Sequence, residues 1–249
     1  MIDKEVSLIT FGVSHFCEKA RWALDWHDIG YQEIGWPPGP HQFLAKRCGA
    51  GKTTLPIVRQ RDTTIQGSDA IIDWADTKAK DESRLLTQDG SVEIEKRADE
   101  IIGWHVRRLA YAELLPRFPD YVKPVLFQNT SRMQRLIGEI MWPVTRRLMM
   151  QAYGITPTAA SESRSTLEAE LDWLDEELSD GRPYLVGDKF SRADVTVASL
   201  LAPFARPPEL PVYREMSITK DLEADCSRWD SRPVMRWVRN QYSSNRLPK

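Results

Sequence analysis

Ser14, His15 and Cys17 stand together between an apolar run that ends at Gly12 and a helical pattern that starts at once. A side chain in that turn sits at the amino end of a helix. Unsatisfied backbone N–H groups and the helix dipole favour negative charge there, and thiolates are stabilised at such positions. Two readings are open. Cys17 could itself be the nucleophile, but a redox pair needs a second cysteine three positions earlier, and that position is Ser14. Ser14 itself suits the helix N-cap, the favoured position of a serine. His15 reads as a turn residue at the rim of such a site.

The elements that must hold this turn are legible around it. Val6 to Phe11 reads as a strand and Glu18 to Trp26 as a helix, with Ala20, Ala23 and Leu24 inward and Glu18, Lys19, Arg21 and Asp25 mostly outward. Gly30 stops that helix. Tyr31 to Ile34 is a second strand, the three prolines of residues 36–40 exclude regular structure, and His41 to Cys48 forms a short helix. Leu55-Pro56-Ile57-Val58 opens a third strand, with proline where a strand tolerates it. Thr63 to Ile65 is a fourth strand, and Gly67-Ser68-Asp69 opens the helix Ala70 to Thr77. The order is β-α-β-α-β-β-α, a thioredoxin-like pattern.

Residues 78–92 are polar and charged, contain Asp-Gly, and read as a linker. The rest reads helical. Glu93 to Leu115 is one long helix carrying Trp104, His105, Arg108 and Tyr111. Prolines 116, 119 and 124 interrupt. Ser131 to Tyr153 is a second long helix and Ser163 to Leu178 a third. Phe190-Ser191-Arg192-Ala193-Asp194-Val195 combines a capping box with a hydrophobic staple and opens a nearly all-apolar, buried helix. Arg232-Pro233 opens the last.

Composition narrows the function. The 249 residues carry a formal net charge of −2, which gives nucleic acid no support as a partner. No run approaches the roughly 18 apolar residues of a membrane span, and the charged start Met1 to Val6 does not read as a signal peptide. Three scattered cysteines argue against a disulfide framework and for a cytoplasmic setting. No HxxxH or cysteine-rich cluster suggests a metal. Gly51-Lys52-Thr53 lacks the upstream glycine and the context of a phosphate loop.

Four features in this order and spacing resemble the cytosolic glutathione transferases along nearly the full length: Ser14-x-x-Cys17 after the first strand, Leu55-Pro56, Gly67-Ser68-Asp69-Ala70-Ile71-Ile72, and Ser191-x-x-Asp194. The turn resembles that of the serine-type, theta- and zeta-like members. The resemblance implies an α/β thioredoxin-like domain over 1–80, an all-α domain over 93–249, and a homodimer. It implies glutathione as co-substrate and conjugation of its thiolate to an electrophilic small molecule, as in detoxification.

Ser14 would then donate a hydrogen bond to the glutathione sulfur, while Cys17 falls where the family has a buried small residue. Leu55 would present its backbone to the cysteinyl part, Pro56, matching the family's cis-proline, would hold that geometry, and Ser68 would take the glutamyl carboxylate. Gly67 departs from the usual acidic residue or glutamine, with Gln66 or Asp69 left to meet the glutamyl ammonium. His41 and Lys52 would face the glycyl carboxylate. His15, Trp104, His105, Arg108 and Tyr111 would be candidates for the second-substrate wall between the domains. Glutathione-dependent reduction or isomerisation, or a non-catalytic glutathione-binding scaffold, are the alternatives.

Overall fold

The computed structural model describes residues 6–80, 83–86 and 89–246. The reading of residues 1–5 and of parts of the linker at 81, 82, 87 and 88 lies outside the described residues. By internal contacts the chain divides into two units, 1–84 with 123–149 and 85–122 with 150–249. The stretch 123–149, which the sequence reading places in the helical domain, groups with the strand-bearing unit.

Unit 1 contains β1 (Val6–Thr10), α1 (His15–Trp26), β2 (Gln32–Gly35), α2 (His41–Arg47), β3 (Ile57–Gln60), β4 (Thr63–Gln66) and α3 (Ser68–Asp76), the order expected. The sheet order is β2-β1-β3-β4. β1 pairs parallel with β2, and β3 pairs antiparallel with both β1 and β4. Alternation along the strands divides the core between two faces. Val6, Leu8 and Val58 pack with Ala20, Leu24, Ile71 and Ala75 of α1 and α3. Ile9 and Ile57 pack with Cys17, Ala45, Cys48 and Leu55.

One expectation about α1 fails. Glu18, Lys19 and Asp25 are buried, and Arg21 keeps only 13% of its side chain exposed. Helical periodicity assigns charged residues to water, but ionic pairing lets several of them stay inside. Arg21 donates to Glu33 and Glu18.

The described residues of unit 2 form helices and their connections. They hold α4 (Ser91–Arg97), a wide π-type turn at Ala98–Ile102, and α5 (Gly103–Leu114), so the expected single helix over 93–115 is interrupted. Then come α6 (Pro119–Leu126), which starts in unit 2 and ends in unit 1, and α7 (Arg132–Ala152), most of it in unit 1. α8 (Ala159–Glu177), α9 (Arg192–Ala205), α10 (Pro211–Glu215), α11 (Lys220–Trp229) and α12 (Pro233–Asn245) complete unit 2. The reading of prolines 119 and 124 as interruptions needs correction. Pro119 stands at the first position of α6, where no N–H is needed, and Pro124 lies inside it.

α9 is the centre of unit 2 and is almost wholly buried. Its capping box forms as expected: the Asp194 carboxylate accepts from Ser191 N–H (2.8 Å) and also from Leu185 N–H (2.8 Å). Burial pushes that carboxyl up to about 6, against the pull of these hydrogen bonds.

Candidate functional site

Three chain segments converge at one end of the sheet because of its register. Ile9 pairs with Ile57, and Ile57 with Gln66. The end of β1, the start of β3 and the end of β4 therefore share an edge. Beyond that edge lie the turn 11–14, Leu55-Pro56 and Gly67-Ser68.

The turn is held from two sides. Ser14 N–H donates to Phe11 C=O (3.2 Å), and the Ser14 carbonyl accepts from Glu18 N–H (2.9 Å), which starts α1. The Ser14 hydroxyl accepts from Cys17 N–H (3.4 Å), so Ser14 is the N-cap and remains half-buried. A hydroxyl acting as acceptor keeps its proton for donation. Below, Arg21 Nη2 donates to the carbonyls of Phe11 and Gly12 (3.3 Å each) and to Glu33 Oε1 (2.7 Å). Glu33 Oε1 also accepts from the Thr10 hydroxyl (2.5 Å). Burial alone would lower the guanidinium's pKa, but Glu33 and Glu18 overcome this and keep it charged.

Cys17 belongs to the core. It is fully buried, and burial raises its thiol pKa against the opposing pull of Arg21 and the Ser14 hydroxyl. His15 is also buried, at 5% exposure, with its ring against Phe16 at 4.8 Å. This corrects the reading of His15 as a rim residue. It is the first residue of α1, and its ring turns onto its neighbour instead of into water.

Leu55-Pro56 is a cis peptide. Pro56 C=O accepts from Gly67 N–H (3.1 Å), tying the start of β3 to the start of α3. Among the described residues, neither the N–H nor the C=O of Leu55 has a hydrogen-bond partner. That leaves a short open edge of the kind an extended peptide can pair with.

Ser68 is the buried first residue of α3, and its N-cap, Gly67, supplies no side-chain cap. The first-turn N–H groups are thus free for an anion. Gly67 has φ of +103°, and a Cβ there would stand 2.5 Å from Asp69 Oδ1. The exposed Asp69 carboxylate therefore folds back over the cap, where it can attract an ammonium group. Gln66 cannot, because its side chain holds the 49–54 loop: Oε1 accepts from Lys52 N–H (2.9 Å), and Nε2 donates to the carbonyls of Lys52 (2.7 Å) and Thr54 (2.8 Å). Lys52 itself is exposed.

His41 Nδ1 accepts from Gly39 N–H (3.0 Å), and its ring meets Phe11 edge-on at 4.8 Å. Burial pushes it down to about 4, against the backbone pull of Thr53 and Pro37. It is neutral at pH 7 and can give a carboxylate only an Nε2–H hydrogen bond.

The sequence reading missed the turn at 127–130. Asn129 C=O accepts from Gly35 N–H (3.2 Å) at the end of β2, and a Cβ on Gly12 would lie 2.5 Å from Gln128 Oε1. The signal was only the presence of glycine at 12 and 35, each just past or at the end of a strand.

The remaining candidates lie on α5 in unit 2. Trp104 and Tyr111, seven apart on one face, both pack on Tyr153, at 5.3 and 5.1 Å. Arg108 is a clamp: it donates to the carbonyls of Tyr153, Gly154 and Ala159, to Ser163 Oγ, and to Glu162 (2.8 Å). His105 Nδ1 lies 3.2 Å from Ser163 Oγ, and burial together with Arg108 lowers its pKa.

Comparison with solved structures bears on the fold. The structure resembles that of the glutathione S-transferase CsGST63524 of Ceriporiopsis subvermispora in complex with glutathione, at TM-score 0.63 and 16% identity over 99% of each chain. It also resembles the beta-etherase LigF from Sphingobium sp. strain SYK-6, at TM-score 0.60 and 17% identity, over 95% of this chain and 99% of that one. A glutathione S-transferase from Xanthobacter autotrophicus Py2 gives 0.59 and 17%, over 98% and 94%. Identities this low show the fold. No curated protein matches by sequence. The models "Glutathione S-transferase, N-terminal domain" and "Glutathione S-transferase, C-terminal domain" match residues 8–83 and 157–239. Together the two models cover more than half of the 249 residues, and the chain belongs to the glutathione S-transferase family.

Proposed function

We propose that this protein activates the thiol of glutathione with Ser14 and transfers the resulting thiolate to an electrophilic small molecule. The observation that carries this reading is the contrast at one helix start: Ser14 is only half-buried, while Cys17 is sealed in the core with a raised pKa. The nucleophile is then the bound thiol. A free thiol titrates near about 8.5. A hydrogen bond from Ser14 to the sulfur favours the anion, and the released proton passes to solvent. The thiolate sulfur bonds to the electrophilic carbon as that carbon's leaving group departs, or as its π bond opens.

Leu55 offers the cysteinyl part a strand-like pairing held by Pro56. Ser68 and the start of α3 take the glutamyl carboxylate, and Asp69 takes the glutamyl ammonium. His41, as a neutral donor, and Lys52 serve the glycyl carboxylate. Trp104 and Tyr111 offer an aromatic face to an apolar electrophile. The assembly is a homodimer, and the setting is the cytoplasm. Among the described residues no helix is long and apolar enough to cross a membrane.

The burial of Cys17 and Cys48 disfavours thiol–disulfide chemistry by the protein itself. The fold is shared with a beta-etherase, so cleavage of an ether by attack of the same thiolate belongs to the range of electrophiles to test. The test is the pH dependence of conjugation for the native chain and Ser14→Ala. Loss of one charge-assisted hydrogen bond should reduce kcat/KM by about 10- to 100-fold and move the thiol ionisation to higher pH. An unchanged profile with retained glutathione binding would sink the role of Ser14.

A further inference from the structure

We infer that Gln128 selects the electrophile: its carboxamide stands beside the Ser14 turn as a hydrogen-bond donor to the oxygen of a carbonyl-activated substrate. The inference rests on the proposed attack by a glutathione thiolate held at Ser14, and adds the substrate class. It concerns unit 1 alone.

The sheet sets the geometry. β1 lies between β2 and β3, so the turn that follows it has two flanks. On the β3 flank stand Leu55-Pro56 and, past β4, Ser68, the groups given to glutathione. The other flank belongs to β2. Thr10 pairs with Gly35 at the ends of the parallel strands β1 and β2. Gly35 N–H donates to Asn129 C=O (3.2 Å), which moors the turn at 127–130 on the flank away from Leu55.

Gln128 reaches from there over the Ser14 turn. A Cβ on Gly12 would lie 2.5 Å from Gln128 Oε1 and 2.8 Å from Gln128 Cβ. Gly12 is not among the glycines with positive φ, so its backbone does not call for glycine. The missing Cβ is the room that the Gln128 side chain fills. Gly12 and Ser14 are two residues apart, at most about 7 Å between Cα atoms.

The Gln128 side chain is not used to hold its own turn. The Thr130 hydroxyl donates to Phe127 C=O (2.8 Å), and Ser131 and Gln134 cap α7 reciprocally (2.6 and 3.3 Å). Among the described residues the Gln128 carboxamide has no hydrogen-bond partner, and the residue is exposed. With Oε1 turned onto Gly12, the Nε2 end faces outward with two protons to donate.

A neutral N–H donor suits a neutral acceptor on which negative charge grows. A carbonyl conjugated to the attacked carbon is such a group. When the thiolate sulfur bonds to the β carbon of an enone, the carbon–carbon π pair shifts and the carbonyl oxygen takes the charge as an enolate. The α carbon then takes a proton from solvent. A donor at that oxygen binds the transition state more strongly than the ground state. A benzyl halide sends its charge out with the halide and has no such oxygen.

The experiment compares the full native chain with Gln128→Met, which keeps the length of the side chain and removes its donor. The thermal melt and the KM for glutathione should not change, since other groups hold the turn. kcat/KM with benzylideneacetone, an enone, should fall about 10-fold or more, while kcat/KM with benzyl chloride stays within about twofold. Calorimetry adds a readout without turnover: the variant should bind the benzylideneacetone adduct of glutathione about 5-fold more weakly and S-benzylglutathione equally well. Equal losses with both electrophiles, a weaker hold on glutathione, or an unchanged rate with the enone overturns the inference and leaves the role of Ser14 standing. A native chain that conjugates benzyl chloride but not benzylideneacetone does the same. A native chain that binds neither conjugate overturns the glutathione reading, and the inference with it.

Discussion

Arg21 and Glu33 form a fork whose other tines reach the backbone of the turn that carries Ser14. Arg21 Nε and Nη2 lie 3.1 and 2.7 Å from Glu33 Oε1, and the same Nη2 donates to Phe11 and Gly12. A charge pair inside unit 1 thus sets the shape of the segment just ahead of α1. Breaking one side leaves the other charged and poorly solvated. Arg21→Met should destabilise unit 1 by about 3 kcal/mol, read as a lower denaturant midpoint. Arg21→Met with Glu33→Met should recover part of that loss in a double-mutant cycle. Additive costs would mean the pair does not hold the turn.

The two glycines beneath the 127–130 turn should respond differently to the same added methyl group. A Cβ on Gly12 meets the Gln128 side chain, whereas one on Gly35 meets the backbone of Gln128 and Asn129. Each alanine should cost about 1–3 kcal/mol as overpacking. Gln128→Gly should relieve Gly12→Ala in a thermal melt and leave Gly35→Ala unrelieved.

Gln66 should act as a clip on the loop that bears Lys52. Its three hydrogen bonds to Lys52 and Thr54 join residues 12 and 14 apart in sequence. Gln66→Ala should accelerate hydrogen exchange at the Lys52 amide by about 10-fold or more and raise KM for glutathione more than it lowers kcat. Unchanged exchange at Lys52 would show that the loop is held by other means.

His41 should give acid sensitivity in a definite window. Its folded value, about 4, lies below the usual 6.5. The unfolded chain therefore binds the proton more readily. The stability it contributes is complete above about 6.5 and is lost as pH falls towards about 4, up to about 3 kcal/mol. His41→Asn should flatten the stability profile over that range. Heteronuclear NMR of the native imidazole should show a neutral ring protonated on Nε2 at pH 6. A charged ring at that pH would refute the assignment.

The pattern of unit 1 was legible because each element announces itself locally: Leu8 and Ile9 in an apolar run, Pro56 at a strand start, Ser191 and Asp194 at the spacing of a capping box. What escaped the sequence depends on partners far along the chain. Arg21 reads as solvent-facing until Glu33 is placed beside it by the parallel pairing of β1 and β2. Gly12 and Gly35 read as strand ends until residues 128 and 129 are brought over them. His15 reads as exposed because turn residues usually are, and only its packing buries it. In the helix read over 93–115, the wide turn at Ala98–Ile102 carries no proline or glycine to announce it.

Gly67 bears on how this site can change over time. Its backbone angle suits glycine, and the space above it is filled by Asp69. An L side chain placed there would be strained at that angle, and the Asp69 carboxylate would have to turn aside to make room for it. A laboratory search that varies position 67 alone therefore meets the same backbone penalty with every other side chain, whereas position 69, whose carboxylate is exposed, is open to change while Gly67 is kept.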